Sequence, residues 1–390
     1  VPAAGTRIGY QAEAYGTALI GSAEGNVLSS GRTALAQIGC TSVAGVSSSN
    51  TAAAGQFAVG SVGAITDTAS TSQSGRTKAA DASSTIASVD LDGMVKASGL
   101  SVTSESSDTS GTYATTGDAT FTDLTIEGVS FPEAPAANTS VPVPGLGTLV
   151  LNEQKVAKTA SGGVSLVVRA IDLEISASNT VGLPAGLHVV VGEARTGLTG
   201  PAIAILGGRA YASRSSTASM ITTGASAVAL LGCDGTAGKI ETNSTVGISV
   251  PGLATSGTAT STAEGTVNGT SASGTTTDTI QGLDLLNGLV TATAVQSSVT
   301  VTKTKGHHDV LTDGSAFTGL KVAGDPAITD AVPPNTVVPI PGVGTLYLHR
   351  VTQTSTSITV HMVELVLSVP VNGTPIGTDL VLSSSDVYAD

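Results

Sequence analysis

Nothing constrains the fold of this chain as strongly as the fact that one long segment occurs in it twice. Asn138 opens NTSVPVPGLGTLVLNEQ and, 197 residues later, Asn335 opens NTVVPIPGVGTLYLHRV. Upstream, GDATFTDLTIEG from Gly117 matches DGSAFTGLKVAG from Asp313, with Phe121 and Phe317 in register. DGMVKA from Asp92 matches NGLVTA from Asn287. Downstream, LVVRAIDLEIS from Leu166 matches ITVHMVELVLS from Ile358, and LPAGLHVVVG from Leu183 matches TPIGTDLVLS from Thr374. The offset drifts only between 191 and 197 residues, so the copies differ by short loop insertions. Each copy is too long for a solenoid repeat and the right length for a domain with its own core. The expected domains are residues 1–197 and 198–390, with residues 196–201 reading as a short linker.

Within each copy the pattern is that of strands. Val168, Ala170, Leu173 and Ile175, and their partners in the second copy, fall on alternating or nearly alternating positions. Asp92-Gly93 and Asn287-Gly288 sit between apolar runs, a strong hairpin signal. Pro144-Gly145 and Pro341-Gly342 mark a turn just before GTLVLN and GTLYLH. With 48 Gly, 12% charged residues and no Trp, the chain lacks the long side chains of surface helices and is rich in small and β-branched ones. The expectation is an all-β protein: two tandem homologous β-sandwich domains, jelly-roll or Ig-like, from an internal duplication. Residues 47–84 and 252–277, with thin apolar content, read as short edge strands and long loops.

The formal net charge of −13 repels a phosphate backbone, which argues against nucleic-acid binding. No run of 18 apolar residues occurs, so no transmembrane helix is expected. The chain opens Val1-Pro2-Ala3-Ala4 without an initiator Met, as expected after removal of a signal peptide, and secretion to the cell surface or beyond follows as an expectation.

The NTSVPVPGLGTLVLNEQ block, the LVVRAIDLEIS strand, a final P-x-G-x-x-V-V-V strand, Ala14-Tyr15-Gly16 and Gly39-Cys40-Thr41 together resemble the choice-of-anchor family of actinobacterial secreted surface proteins. The resemblance covers most of each copy and rests on packing and turn motifs. It implies a β-rich protein displayed on the cell envelope, with anchoring that varies between members, and it supplies no catalytic residues. The chain departs from a simple anchored form, ending DVYAD without a sorting motif or hydrophobic tail.

Chemistry is sparse. No nucleophile elbow, P-loop, HExxH or CxxC occurs, so neither an enzyme nor a cofactor is expected. His307-His308-Asp309 is the one cluster that invites a metal, but neighbours on a strand face opposite ways, and a solvated loop accounts for it. Asp90-Leu91-Asp92-Gly93 could hold calcium, yet the second copy, Asp284-Leu285-Leu286-Asn287-Gly288, breaks the spacing, and a hairpin turn explains both. Lys96 and Lys155 are isopeptide candidates without counterparts, since Thr291 and Thr352 lie near the matching positions. Sequons begin at Asn138, Asn243, Asn268 and Asn372. Cys40 and Cys233 occupy matching positions, and three readings stand: a bond to each other, a bridge between subunits, or two small buried hydrophobes.

The functional expectation is a subunit of an extracellular homopolymer, a filament or sheath, whose partners are copies of itself. Sandwich edges invite strand addition. The segment Arg7, Ile8, Gly9, Tyr10, Gln11, Ala12 is the candidate donor strand for the next subunit, and repeated donation of that kind gives an open chain. The alternative is a monomeric surface adhesin or carbohydrate-binding module, with Tyr211 and Tyr347 as candidate sugar platforms.

Overall fold

The computed structural model describes residues 7–23, 26–29, 32–57, 59–217, 223–250, 252–268, 271–304, 307–323 and 325–390. Among these the chain is all-β, without a helix, and its contacts divide it into Val1–Ala202 and Ile203–Asp390.

The larger sheet of the first unit runs β2 (Asn26–Ser29), β1 (Tyr10–Ala23), β18 (His188–Leu198), β17 (Val164–Ile175), β16 (Gly147–Lys158), β15 (Thr139–Val143), and β3 (Ala36–Thr41) also pairs with β1. A second sheet runs β4 (Ser47–Ala52), β7 (Ile65–Ser74), β8 (Thr77–Ile86), β11 (Gly99–Thr109), β12 (Thr112–Thr122). A third, of short strands, runs β5 (Gly55–Phe57), β6 (Gly60–Val62), β9 (Val89–Leu91), β10 (Val95–Ala97), β13 (Thr125–Ile126), β14 (Val129–Ser130).

In the second unit the corresponding larger sheet runs β20 (Thr223–Ser226), β19 (Leu206–Thr217), β34 (Thr378–Ala389), β33 (Ser357–Leu367), β32 (Gly344–Gln353), β31 (Thr336–Ile340), with β21 (Ala229–Leu231) also on β19. Its other sheet begins β22 (Glu241–Thr245), β25 (Ala259–Asn268), β26 (Ser271–Leu285), and the far end of β26 takes β24 (Ala254–Ser256), which pairs with β23 (Ile248–Val250). β27 (Val290–Thr304) pairs with β26 and carries β28 (His307–Asp313), β29 (Ala316–Thr318) and β30 (Lys321–Val322). The second unit repeats the strand order of the first, except that β12 is split into β28 and β29 and β14 has no counterpart strand among the described residues. Where β8 and β9 are separate, β26 runs through, and where β10 and β11 are separate, β27 does, so two sheets of the first unit become one.

In each unit the sheets bury their facing side chains in a common core. Leu151, Val168 and Val191 meet Ile86, Leu100 and Val102 in the first, and Leu348, Val360 and Leu382 meet Ile280, Val295 and Val299 in the second. The regions expected to be edges and loops are only partly so: β4 and β5 are short edge strands, but β7, β8, β25 and β26 are long strands, all four inside their sheets. Their alternation is present but written in small residues. β8 turns Ala80, Ala82, Ser84 and Ile86 inward, and Ala and Ser give little hydrophobic contrast.

The expected linker is also corrected. Residues 196–198 close β18, and beyond it Thr199 N donates to Gly9 O at 2.9 Å while its Oγ1 accepts from Gly9 N at 2.7 Å. Arg7 and Ala202 then exchange backbone bonds, so the ladder continues through the Gly/Pro-rich stretch. Gly200 is there because its backbone lies against Ser161 O, where a Cβ would stand only 1.9 Å away. The turns form as expected: Asp92 and Gly93 have φ of 49° and 73°, and Gly93 N donates to Asp90 Oδ1 at 2.7 Å.

One irregularity organises the larger sheets. β17 buries Leu166, Val168 and Ala170, then Ile171, Leu173 and Ile175, so two consecutive residues face inward and the phase reverses. Pairing is interrupted there along a single row, Asn152, Ala170, Gly192, Gly16, with regular pairs on either side. Asn152 and Gly192 take φ of 50° and 69°. The second unit repeats the row at His349, Met362, Ser383 and Ala212, with φ of 52° at His349 and 53° at Ser383. The side chain at the same place in each row is tethered alike: Asn152 Nδ2 donates to Asp118 Oδ1, and His349 Nε2 meets Asp313 Oδ2, both at 2.7 Å.

Candidate functional site

The phase reversal puts Arg169 and Asp172, three residues apart on one strand, on the same outer face of the larger sheet. There they meet Glu193 of β18, Glu153 of β16 and Tyr15 of β1. Arg169 Nε donates to Glu193 Oε2 at 2.7 Å, and its Nη1 donates to Asp172 Oδ2 at 2.7 Å and Glu153 Oε2 at 3.3 Å. Tyr15 OH donates to the same Glu193 Oε2 at 2.7 Å, and His188 Nδ1 meets Asp172 Oδ1 at 2.7 Å. Arg32 lies over the Tyr15 ring, 5.1 Å from its centre, and donates to Glu13 Oε1 at 2.7 Å.

Although it lies on an outer face, the network is largely buried: Tyr15 is 0% exposed and Glu193 4%. Burial pushes the Glu193 carboxyl upward, but Arg169, then Arg195 and Arg32, outweigh it and hold Glu193 below the usual carboxylate range. Burial, with Glu193 next, pushes the Tyr15 hydroxyl well up, so it remains a donor. The charges answer one another, and the arrangement is suited to rigidity and to presenting a defined face.

The second unit builds a related network from different residues. Arg350 pairs with Glu364, His361 Nδ1 meets Glu364 Oε2 at 3.1 Å, and Arg350 lies 5.0 Å over the Tyr347 ring. Glu13 stands opposite Arg195 in register, and the equivalent pair is Arg209 opposite Asp386 with the signs exchanged, Arg209 Nε donating to Asp386 Oδ1 at 3.2 Å. A cross-strand pair thus survives the exchange of its members.

The candidate donor strand is engaged at home. Tyr10, Gln11 and Ala12 open β1, and Tyr10 stands between Leu198 of β18 and Thr41 of β3 at 1% exposure. Gly9 bonds Thr199 and Arg7 bonds Ala202, with Ile8 buried between them. Tyr10 and Ala12 are paired on both sides, with β18 and with β3, while Arg7 and Gly9 are bonded along one side.

Cys40 and Cys233 are buried at 4% and 5%, at matching places in and after β3 and β21, and neither is a free thiol. His307 opens β28, a strand and not a loop, and the side chains of His308 and Asp309 lie outside the described residues. No group of three metal-ligating side chains occurs among the described residues. Lys96 pairs with Asp90 at 3.3 Å and Lys155 with Glu153 at 2.7 Å, both half open to solvent. None of the six tyrosines is exposed: Tyr10, Tyr15 and Tyr211 are buried, and Tyr113, Tyr347 and Tyr388 half-buried. Of the sequon residues, Asn243 Nδ2 donates to Val228 O at 3.0 Å, as Asn50 Nδ2 does to Leu35 O at 3.2 Å in the first unit. These bonds tie β4 and β22 to the opposite sheets.

Fold and site together define an all-β protein of two repeated units with ion-paired outer faces. No family model matches the chain, and no curated protein matches it. Among solved structures it is similar to a TodX monoaromatic hydrocarbon channel deltaS2 mutant at 8% identity, covering 99% of this chain and 89% of that one, but the TM-score of 0.12 carries no argument.

Proposed function

We propose that the chain is a structural subunit of an extracellular homopolymer, a filament or sheath, built from two tandem β-sandwiches and assembled by strand addition between copies. Its residence at a cell surface would accord with the choice-of-anchor resemblance. The observation that carries the reading is the state of the sheet edges. β15 and β31 are edge strands interrupted by Pro142 and Pro339, a guard against further pairing. At the end of the second sheet of each unit, β4 and β22 have no strand beyond them among the described residues. β4 reads Ser-Ser-Ser-Asn-Thr-Ala and β22 Glu-Thr-Asn-Ser-Thr, with no Pro, no Lys and one charge between them. These edges, rather than residues 7–12, are the ones on which another copy would add.

Ser49 of β4 and Thr242 of β22 are exposed and equivalent. Ser49→Lys combined with Thr242→Lys places a charge on each edge. The expected outcome is loss of the polymers seen by negative-stain microscopy, with monomer stability changed by no more than about 0.5 kcal/mol. Wild-type protein that stays monomeric at every concentration sinks the reading.

A further inference from the structure

Two buried carboxyls stand apart from every ion pair described above. Asp67 of β7 and Asp278 of β26 are both at 0% exposure on inward faces. Asp67 stands opposite Ser84 of β8 in register, and Asp278 opposite Ser261 of β25. β7 is equivalent to β25 and β8 to β26, so the two pairs occupy one place in the repeated fold, and the acid has changed strands between copies. A position that keeps one acid and one hydroxyl while exchanging which strand supplies each is held by the chemistry of the pair, not by the packing of either residue alone.

Among the described residues no cation faces either acid. Around Asp67, β4 presents Asn50, β8 Ser84, and β1 the backbone of Gly16. Around Asp278, β25 presents Ser261, β27 Ser297 and β34 Ser383. Of the other inward ionisable groups of the same sheets among the described residues, Lys78 and Asp108 face one another at one end in the first unit, Lys303 stands opposite Ala272 in the second, and Asp313 of β28, opposite Val299, is taken up by His349 Nε2 at 2.7 Å. On β1, Glu13 and Tyr15 belong to the outer network. Ser261 Oγ donates to Asp278 Oδ1 at 2.5 Å, while Asp278 Oδ2 and both Asp67 oxygens make no well-aligned hydrogen bond among the described residues. An isolated carboxylate is prohibitively costly in such a place, whereas a carboxylic acid is tolerable.

The geometry points to Asp67 and Asp278 being held as neutral carboxylic acids, each set beside its serine, so that rising pH and not falling pH loosens the core of both units at this place. Burial pushes Asp67 up to about 8 and Asp278 up to about 7, against weaker lowering by the neighbouring hydroxyls. In the unfolded chain an aspartic acid loses its proton near pH 4, so between there and these values the folded state binds more protons. The contribution to stability is greatest at acid pH and falls as pH rises. Each unit loses about tenfold in its folding constant per pH unit over that interval. The loss levels off near 7 in the second unit and near 8 in the first.

The test is denaturant unfolding of the full chain in unit steps from about pH 5 to about pH 9, for wild type, Asp67→Asn and Asp278→Asn. Each Asn variant is expected to lose the slope of its own unit and to exceed wild type at the alkaline end. Profiles parallel to wild type overturn the proposal. Should an Asn variant not fold, Asp67→Ser with Ser84→Asp rebuilds in the first unit the arrangement of the second, and it is expected to fold and keep the slope; a flat profile overturns the proposal. Infrared spectroscopy near neutral pH gives a readout that packing alone would not move. The carbonyl band of a protonated carboxylic acid should be present in wild type and weakened in each folded variant, and its absence from wild type also overturns the proposal.

Discussion

At the scale of single residues, Arg169 does the most. One guanidinium bonds Glu193, Asp172 and Glu153, and only its planar fork reaches all three. Arg169→Met keeps the stem and removes the charge, leaving two buried carboxylates short of their principal partner. The expected loss is about 3–5 kcal/mol by urea unfolding, with Arg169→Lys intermediate. Because Glu193 is held below the usual range, its contribution is present above the ordinary carboxylate pKa and is lost as pH falls through the lowered value. Arg169→Met should therefore also weaken the acid-side fall in stability. The turn residues were legible in the sequence because Asp-Gly and Pro-Gly state a local backbone geometry. Glu193, Arg169 and Tyr15 were not, since they lie far apart in sequence and meet only through strand register.

At the scale of strands, the row of interrupted pairing decides which face each side chain takes. The run from Leu166 looked nearly alternating, and the word "nearly" held the information: two periods of two, joined out of phase between Ala170 and Ile171. Gly192 sits in that row at φ 69°, and a Cβ there would stand 3.0 Å from Leu100 Cδ1. Gly192→Ala should cost about 1–3 kcal/mol in thermal or denaturant unfolding, from left-handed strain and overpacking together. A neutral result would mean that the row does not fix the phase. The equivalent Ser383 keeps the same backbone but uses its hydroxyl, accepting from Ser297 N at 3.1 Å, so its second-unit surroundings are polar where those of Gly192 are apolar.

At the scale of the whole molecule, the two copies keep one strand order while exchanging the members of their polar pairs. Cys40 and Cys233 are an exception, identical in both copies. Neither is a free thiol, as expected of a protein matured in an oxidising compartment. The intact protein should take up no iodoacetamide until it is reduced, and should run as a single chain without reductant. Labelling without reductant contradicts their bonded state, and a covalent dimer assigns the bond between copies instead.

The sequence by itself determined the duplication, the all-β class, the hairpin turns and the matched cysteines, because each is carried by local pattern or by comparison of one copy with the other. Only the tertiary structure decided that residues 7–12 complete their own sheet, that the Ser- and Ala-rich stretches supply interior strands as well as an edge, and that Asp67 and Asp278 are enclosed. Those outcomes depend on which strand lies beside which and on the phase of each strand. Pairing joins residues far apart in the chain, and a shift of one position turns every side chain to the opposite face.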